Sequence, residues 1–196
     1  MATRSILKDG EKGLTKKSRL VTDFNKRLHI LLDDMRETLI EANGLGLAAP
    51  QVGVLRRVAL IVDPGIGSDQ IEDAEEELSE EDRLELYNKQ IIELINPEII
   101  SQDGEQTASE GCLSVPGIYG MVSRPETVLL KAQDRFGNRF EMEVSEIAAR
   151  AACHEVDHLD GIIFTSLAKR LLTEEELADL IAQNEEKEAA QAKDAG

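Results

Sequence analysis

The stretch HEVDH, residues 154–158, sets two histidines one helical turn apart with a glutamate between them. Side chains at positions i and i+4 project from one face of a helix, so His154 and His158 can ligate the same ion. The side chain of Glu155 points about 100° away from that face, where it can reach a water molecule on the ion without being a ligand. The motif therefore predicts a divalent metal site that carries its own base.

The residues around this motif predict the helix that carries it. In VSEIAARAACHEVDHLDG, residues 144–161, Ser145 is a suitable N-cap and Gly161 a stop signal. Ile147 and Ala151 share a stripe with the two histidines, which are therefore expected to face inward. Inward imidazoles with neither a metal nor a hydrogen-bond partner are costly, so the pattern favours a metal site over an ordinary solvated helix.

A third ligand is available in the segment EGCLS, residues 110–114, where Cys112 can lie beside the helix. One thiolate and two imidazoles leave a fourth position for water, which is typical of a catalytic rather than a structural site. Cys153 is interpreted as a small buried hydrophobe, because it precedes His154 on the helix and points away from the metal face. A blue-copper site uses a similar ligand set, but it has no role for Glu155.

Length, composition and charge restrict the class of protein. A chain of 196 residues can bury a core without disulfides or structural zinc, and its two cysteines show no framework spacing. The N-terminal residues lack the apolar segment of a signal peptide, and no run approaches a membrane span, so a protein of the cytoplasm is expected. The net charge of -17 argues against a nucleic-acid surface, and most of it lies in residues 69–85 and 174–194.

The chain is interpreted as a single catalytic domain, residues 1–196, with polar segments at its periphery. These segments are an irregular arm at 1–19, an acidic insertion at 68–86, and an acidic C-terminal helix and tail at 173–196. The arm contains no predicted site. The insertion is interpreted as a solvated surface helix or loop.

The order of helices and strands indicates the fold class. Apolar residues at helical spacing predict an N-terminal helix over residues 22–42, capped by Thr22 or Asp23. Residues 126–144 predict a β-hairpin around a turn that contains a glycine. His29 lies off the apolar stripe and is expected to be exposed or hydrogen-bonded rather than a ligand. Strands before a late central helix indicate an α+β fold, with antiparallel or mixed sheets packed around the metal-binding helix and with N-terminal and C-terminal helices.

The glycine-rich segment GLGLAAPQVG, residues 44–53, is a second candidate for the site. A strand follows this segment rather than preceding it, which excludes a dinucleotide-binding fingerprint. The glycines allow backbone to approach a ligand closely, and Gln51 offers a side-chain amide donor. A simple turn between a helix and a strand explains the same composition.

Taken together, the three motifs resemble those of the peptide deformylase family. They are GLGLAAPQ at 44–51, EGCLS at 110–114 and HEVDH at 154–158, and the resemblance covers most of residues 20–165. It implies an enzyme that removes the formyl group from the N-terminal formylmethionine of nascent polypeptides and releases formate. It also implies one divalent metal ion per chain, with Fe²⁺ expected and zinc, nickel or cobalt able to replace it.

The resemblance also implies roles for particular residues. It makes Cys112, His154 and His158 the metal ligands and Glu155 the general acid/base. The oxyanion donors would be Gln51 and the backbone N–H of Leu113, and the backbone of Gly46 would meet the substrate. Glu110 and Arg124 would form a structural ion pair. Metal-bound water is expected to attack the formyl carbon while Glu155 transfers the proton. The methionine side chain needs an apolar pocket, for which Ile118, Tyr119 and Ile147 are candidates.

Partners and rival functions follow from the same features. The expected partners are formylmethionyl nascent peptides, without nucleic acid or membrane, in a bacterial-type cytoplasm. A transient encounter with the ribosome is left open, but not through a basic C-terminal helix, because residues 174–194 are acidic. One alternative is a metallopeptidase of the HExxH type, although such enzymes usually take a third ligand downstream and no histidine follows His158. The other is a catalytically silent, deformylase-like binding protein.

Overall fold

The computed structural model of the chain describes residues 2–67 and 79–183. The helices are α1 (Lys26–Ala42), α2 (Glu80–Gln90) and α3 (Glu146–Asp160), with short 3₁₀ helices at Ala49–Val52 and Phe164–Ser166. A further helix covers residues 174–183 up to the end of the described part. The strands are β1 (Gly46–Ala48), β2 (Val58–Val62), β3 (Ile91–Asp103), β4 (Gln106–Cys112), β5 (Val115–Arg124), β6 (Thr127–Gln133), β7 (Arg139–Ser145) and β8 (Arg170–Thr173).

The strands form two sheets. The larger sheet has the order β1-β2-β3-β6-β7 and the smaller sheet the order β4-β5-β8. Every pairing between these named strands is antiparallel. This arrangement confirms the predicted α+β fold with antiparallel sheets around the helix that carries HEVDH. The predicted hairpin is confirmed as β6 and β7, whose register begins with Gln133 opposite Arg139.

The larger sheet lies between α1 and α3, and strand β2 shows why. Its five residues, VALIV, are all buried. Val58 and Leu60 pack with α1 on one face, while Ala59 and Ile61 pack with α3 on the other. Since successive side chains of a strand point to opposite faces, a strand covered on both sides reads as one apolar run.

Helix α3 packs closely on this sheet because its buried face is made of small side chains. Ala148, Ala149 and Ala152 are almost fully buried there, together with Cys153. As predicted, α3 follows Ser145 and ends at Gly161 in a left-handed conformation. The Ser145 side chain makes no capping hydrogen bond, however.

The start of α1 differs from the prediction. The N-cap is Asn25, whose side chain accepts hydrogen bonds from the N–H groups of Arg27 and Leu28. Thr22 and Asp23 were wrong as caps because the chain before the helix is held extended. Both backbone groups of Val21 bond to the side chain of Asn96, at 2.8 and 2.9 Å.

The His29 prediction is confirmed, since its Nε2 lies 2.8 Å from the carbonyl oxygen of Arg135.

Residues 68–78 of the acidic insertion and 184–196 of the tail lie outside the described residues. The rest of the insertion enters α2, capped by Ser79. The hydroxyl of Tyr87 on α2 donates to the carbonyl of Gly44. Within the described part of the chain, no helix is long and apolar enough to cross a membrane.

Substitution of Gly161 by alanine is expected to destabilise the protein more than the same change at Gly53. Both glycines have φ +79, which is unfavourable for a residue with a Cβ. A Cβ at 161 would lie 2.7 Å from the carbonyl carbon and oxygen of Thr15, whereas at 53 it would meet nothing within 4 Å. We expect Gly53→Ala to lower the free energy of unfolding by about 1 kcal/mol and Gly161→Ala to lower it by about 2–3 kcal/mol, as measured by urea unfolding. Equal losses would contradict the importance of the Thr15 contact.

Candidate metal centre

Three candidate ligand atoms from two parts of the fold meet beside α3. Cys112 ends strand β4, and His154 and His158 lie one turn apart on the helix. The Nε2 atom of His158 lies 3.2 Å from the Cys112 sulfur and 3.2 Å from Nε2 of His154. All three atoms lie within 4.8 Å of one another, and this group contains no fourth His, Cys, Asp or Glu from the described residues.

The chemistry and spacing of these atoms fit a metal ion. Ligands of a tetrahedral ion at bond lengths of about 2.0–2.3 Å lie roughly 3.3–3.7 Å apart, close to the two separations of 3.2 Å that involve Nε2 of His158. Burial lowers the pKa of His158 to about 3, so its ring stays neutral and can offer a lone pair. Burial also opposes protonation of His154, but hydrogen bonds with Cys112 and Glu110 outweigh it and raise the pKa of His154 to about 10, so a metal ion would displace a proton from this ring. One sulfur and two imidazole nitrogens suit zinc and iron alike.

The orientation of His154 is set by Glu110, which also lies on β4. The β4–β5 register shifts between Gly111 and Cys112, and Glu110 and Cys112, on either side of that shift, both contact histidines of α3. The Glu110 carboxylate lies 3.0 Å from Nδ1 of His154, leaving Nε2 directed at the other ligands. A carboxylate behind a histidine ligand holds the tautomer and the ring orientation.

Two arginines donate hydrogen bonds to the Glu110 carboxylate. Arg124 donates two hydrogen bonds to the carboxylate, at 2.8 and 3.0 Å, and Arg150 donates a third at 2.8 Å. Burial opposes ionisation of Glu110, but hydrogen bonds from His154 and Arg124 outweigh it and lower the pKa of Glu110 to about 2. Arg124 also donates to Asp157 at 2.6 Å.

Glu155 lies beside the ligand group without belonging to it. The residue is 3% exposed, and its Oε2 has no hydrogen-bond partner among the described residues. Burial raises the pKa of Glu155 to about 7. A Cβ at position 46 would lie 2.8 Å from both Cδ and Cγ of Glu155. Gly46 is therefore required for the strand to pass over this carboxyl group.

The side-chain amide of Gln51 faces the same group of atoms. The N–H of Ala48 donates to Oε1 of Gln51 at 2.7 Å, which fixes the orientation of the amide. Nε2 then points to the Cys112 sulfur at 3.5 Å and to the Ser114 hydroxyl at 3.3 Å. The N–H of Leu113 belongs to the peptide that joins it to Cys112. Both predicted oxyanion donors therefore lie next to the thiol group.

An open cavity of about 630 Å³ leads to these residues. Its lining includes Ile118, Tyr119 and Ile147, the three candidates for the methionine pocket. Ile147 is 43% exposed and lines the cavity, whereas Ala151 and His154 of the same stripe line it but are buried. Cys153 is buried on the sheet side of α3, and burial raises the pKa of its thiol to about 11.

The N-terminal arm contributes to the site, although the sequence predicted no site there. Lys8 lines the cavity, and its Nζ donates to the carbonyl of Leu113 at 2.9 Å. The N–H of Leu7 donates to the carbonyl of Gln51, and that of Asp9 to the carbonyl of Ser114, each at 2.8 Å. The arm thus connects the two segments that flank the ligand atoms.

Some of the missed residues had a usable signal in the sequence. Arg150 and Asp157 lie four residues before and three after His154, so helical spacing places them on its face of α3. Lys8 had no such signal in the sequence, because only packing of the arm against the rest of the domain brings it to the cavity.

A thiol and two imidazoles beside a buried carboxylic acid, at the end of an open cavity, have the composition of a metal-dependent hydrolase centre. Comparison with known proteins gives the family. The polypeptide deformylase family model matches residues 3–174, and the chain belongs to that family. It is therefore a hydrolase of a metal-dependent family that removes formyl groups from nascent polypeptides.

Individual relatives match this chain over most of their length. The peptide deformylase of Caldicellulosiruptor bescii is 48% identical, over 90% of this chain and 92% of that protein. The crystal structure of a peptide deformylase from Legionella pneumophila is 35% identical with a TM-score of 0.69, covering 97% of this chain and 98% of that one. A Met-Ala-Ser-bound structure of class I type b peptide deformylase from Acinetobacter baumannii is 30% identical with a TM-score of 0.69, covering 85% and 98%.

Proposed function

We propose that this chain hydrolyses the formyl group of N-terminal formylmethionine at the centre formed by Cys112, His154 and His158. The observation that carries the proposal is the convergence of these three ligand atoms beside a buried carboxyl group that is not one of them. Such a set leaves room for a reacting molecule at the ion, as catalytic metal sites require.

The proposed ion is Fe²⁺, with zinc, nickel or cobalt able to replace it. When bound, the ion acts as a Lewis acid and makes a water molecule acidic enough to react near neutral pH. The mixed thiolate and imidazole donor set accepts each of these metals, so the choice depends on supply and on oxygen. Elemental analysis of protein purified without oxygen tests this choice.

Glu155 is proposed as the general acid/base. Its pKa of about 7 lets the carboxylate accept a proton from the attacking water and return it to the leaving amine nitrogen. Burial keeps bulk water from competing for that proton. The unpaired Oε2 supports the assignment, since an unsatisfied buried oxygen is otherwise costly.

Gln51 and Leu113 are proposed to stabilise the negative charge on the formyl oxygen. The Gln51 amide is preoriented by the N–H of Ala48, so it need not reorganise as charge develops. The N–H of Leu113 is the second donor. Removing one such donor typically lowers the rate by about 10²–10³.

The substrate is proposed to be an extended peptide that enters through the cavity. Gly46 lies at its edge and lets backbone approach Glu155, and the apolar lining of Ile118 and Ile147 suits a methionine side chain. The Acinetobacter baumannii relative with bound Met-Ala-Ser supports a product of this kind. A formyl carbon carries only hydrogen, so a narrow space at the ligand atoms favours it over larger acyl groups.

The setting of the reaction is proposed from its substrate. Formylated initiation belongs to bacteria, so we propose a bacterial-type cytoplasm and one catalytic domain acting on nascent chains. An encounter with the ribosome would not use residues 174–194, because their charge repels RNA phosphates.

The metal-loaded enzyme is expected to release formate from a formyl-Met-Ala-Ser peptide and to leave internal peptide bonds intact. Formate is measured with a coupled dehydrogenase, and cleavage products are followed by mass spectrometry. An acetyl-Met-Ala-Ser peptide is the matched control and should turn over at least tenfold more slowly. Internal cleavage without formate would favour the HExxH metallopeptidase instead.

A further inference from the structure

The exposed part of the cavity lining carries one charged side chain. The exposed lining residues are Lys8, Asn43, Leu45, Gly111, Pro116, Gly117 and Ile147. The other charged lining residues, Glu110 and Arg150, are buried and paired with each other at 2.8 Å. A ligand that leaves the cavity towards solvent therefore meets one charged side chain among the exposed residues that line it, which is Lys8.

Lys8 is held in place rather than free to move with the arm. The backbone N–H groups of Leu7 and Asp9, on either side of it, each donate a hydrogen bond of 2.8 Å to the segments that flank the site. Its Nζ donates to the carbonyl of Leu113 at 2.9 Å. An ammonium group has three donors, so two remain available to a ligand.

Lys8 has no ion pair with a described residue. The nearest acids in sequence, Asp9 and Glu11, accept hydrogen bonds from backbone N–H groups of the arm itself, at Gly10 and Lys8 respectively. The ammonium group of Lys8 thus lies beside the cavity without an ion-pair partner among the described residues, in a chain whose net charge is -17.

We propose that Lys8 makes the enzyme prefer formylmethionyl peptides that carry an acidic side chain among the residues directly after methionine. This inference rests on the proposed function, because it assumes that the methionine side chain enters the cavity and the following residues pass its opening. An exposed pair of opposite charges is worth about a two- to fivefold change in affinity. Lys8 does not touch the reacting atoms, so it is a specificity residue.

The test uses formyl-Met tripeptide amides with Glu, Gln or Lys at the second or the third position. The measured quantity is the ratio of kcat/KM for the Glu peptide to that for the Lys peptide. We expect Lys8→Gln to lower this ratio about two- to fivefold and Lys8→Glu to lower it further, with most of the change in KM. The uncharged Gln peptide reports any general damage to Leu113, since that damage affects all peptides equally.

Lys12→Glu is the matched control, because Lys12 is an exposed residue of the same arm that does not line the cavity. It changes the net charge as Lys8→Glu does and should leave the ratio as in the wild type. The Lys8 effect should shrink as salt is raised, because the pair is exposed. If formate is still released, an unchanged ratio in both Lys8 variants overturns the assignment. An equal shift of the ratio in Lys12→Glu overturns it as well. No release from any peptide would instead contradict the proposed function, and this inference with it.

Discussion

Glu155→Gln is expected to lower kcat for formate release by about 10²–10⁴ while the protein keeps its metal. The amide has the shape of the acid and fits beside Gly46, but it cannot accept and return a proton. Metal content should be retained because Glu155 is not among the three atoms that form the ligand group. Steady-state formate release and elemental analysis of the same preparation check both halves of the expectation.

The stability of this variant separates a chemical from a structural effect. Burial raises the pKa of Glu155 to about 7, so the folded protein binds its proton more tightly than the unfolded chain does. The acid therefore lowers the free energy of unfolding progressively as the pH rises from its ordinary pKa of 4.5 through 7. An uncharged amide avoids that loss, so Tm at pH 8 should be unchanged or higher. Turnover within tenfold of the wild type would remove Glu155 as the proposed base.

Glu110→Gln is expected to lose about 3–5 kcal/mol of unfolding free energy, because it leaves Arg124 and Arg150 short of their buried counter-charge. The amide also presents donor hydrogens to two guanidinium groups. Glu110→Gln should also lower metal affinity about 10- to 100-fold, since His154 loses the carboxylate that orients it. Urea unfolding of chelator-treated protein measures the first effect and competition with a chelator measures the second.

Glu85→Gln is the control for the ion-pair effect. Glu85 pairs with Lys89 at 2.8 Å on the surface of α2, where both side chains are more than half exposed. Exposed pairs one helical turn apart contribute about 0.3–0.5 kcal/mol, so this variant should unfold almost as the wild type does. If Glu110→Gln lost no more than this control, the buried network would have no structural importance.

The sequence predicted the parts of the site that follow a local period. The two histidines and Glu155 follow from helical spacing. The start of α1 was wrong for the opposite reason. Thr22 and Asp23 are good caps by residue type, but Asn96 bonds both backbone groups of Val21 just before them, and the helix begins only after Asn25.

Side chains distant in sequence needed the tertiary structure. Glu110 receives its partners from β5 and α3, and only the packing of both elements against β4 shows that Arg150 shares the carboxylate with Arg124. The contact between Gly46 and Glu155 likewise depends on the distance between β1 and α3, which the buried alanines of α3 determine.

Periodicity and donor chemistry are local properties, so the fold class, the helix that carries HEVDH and the residue types able to hold a metal were predictable from the chain alone. Packing between distant segments places Lys8 at the cavity, brings Arg124 and Arg150 to Glu110 and points the Gln51 amide at Cys112. Those contacts arise from burial of side chains far apart in the chain, and a local pattern carries no information about such distances.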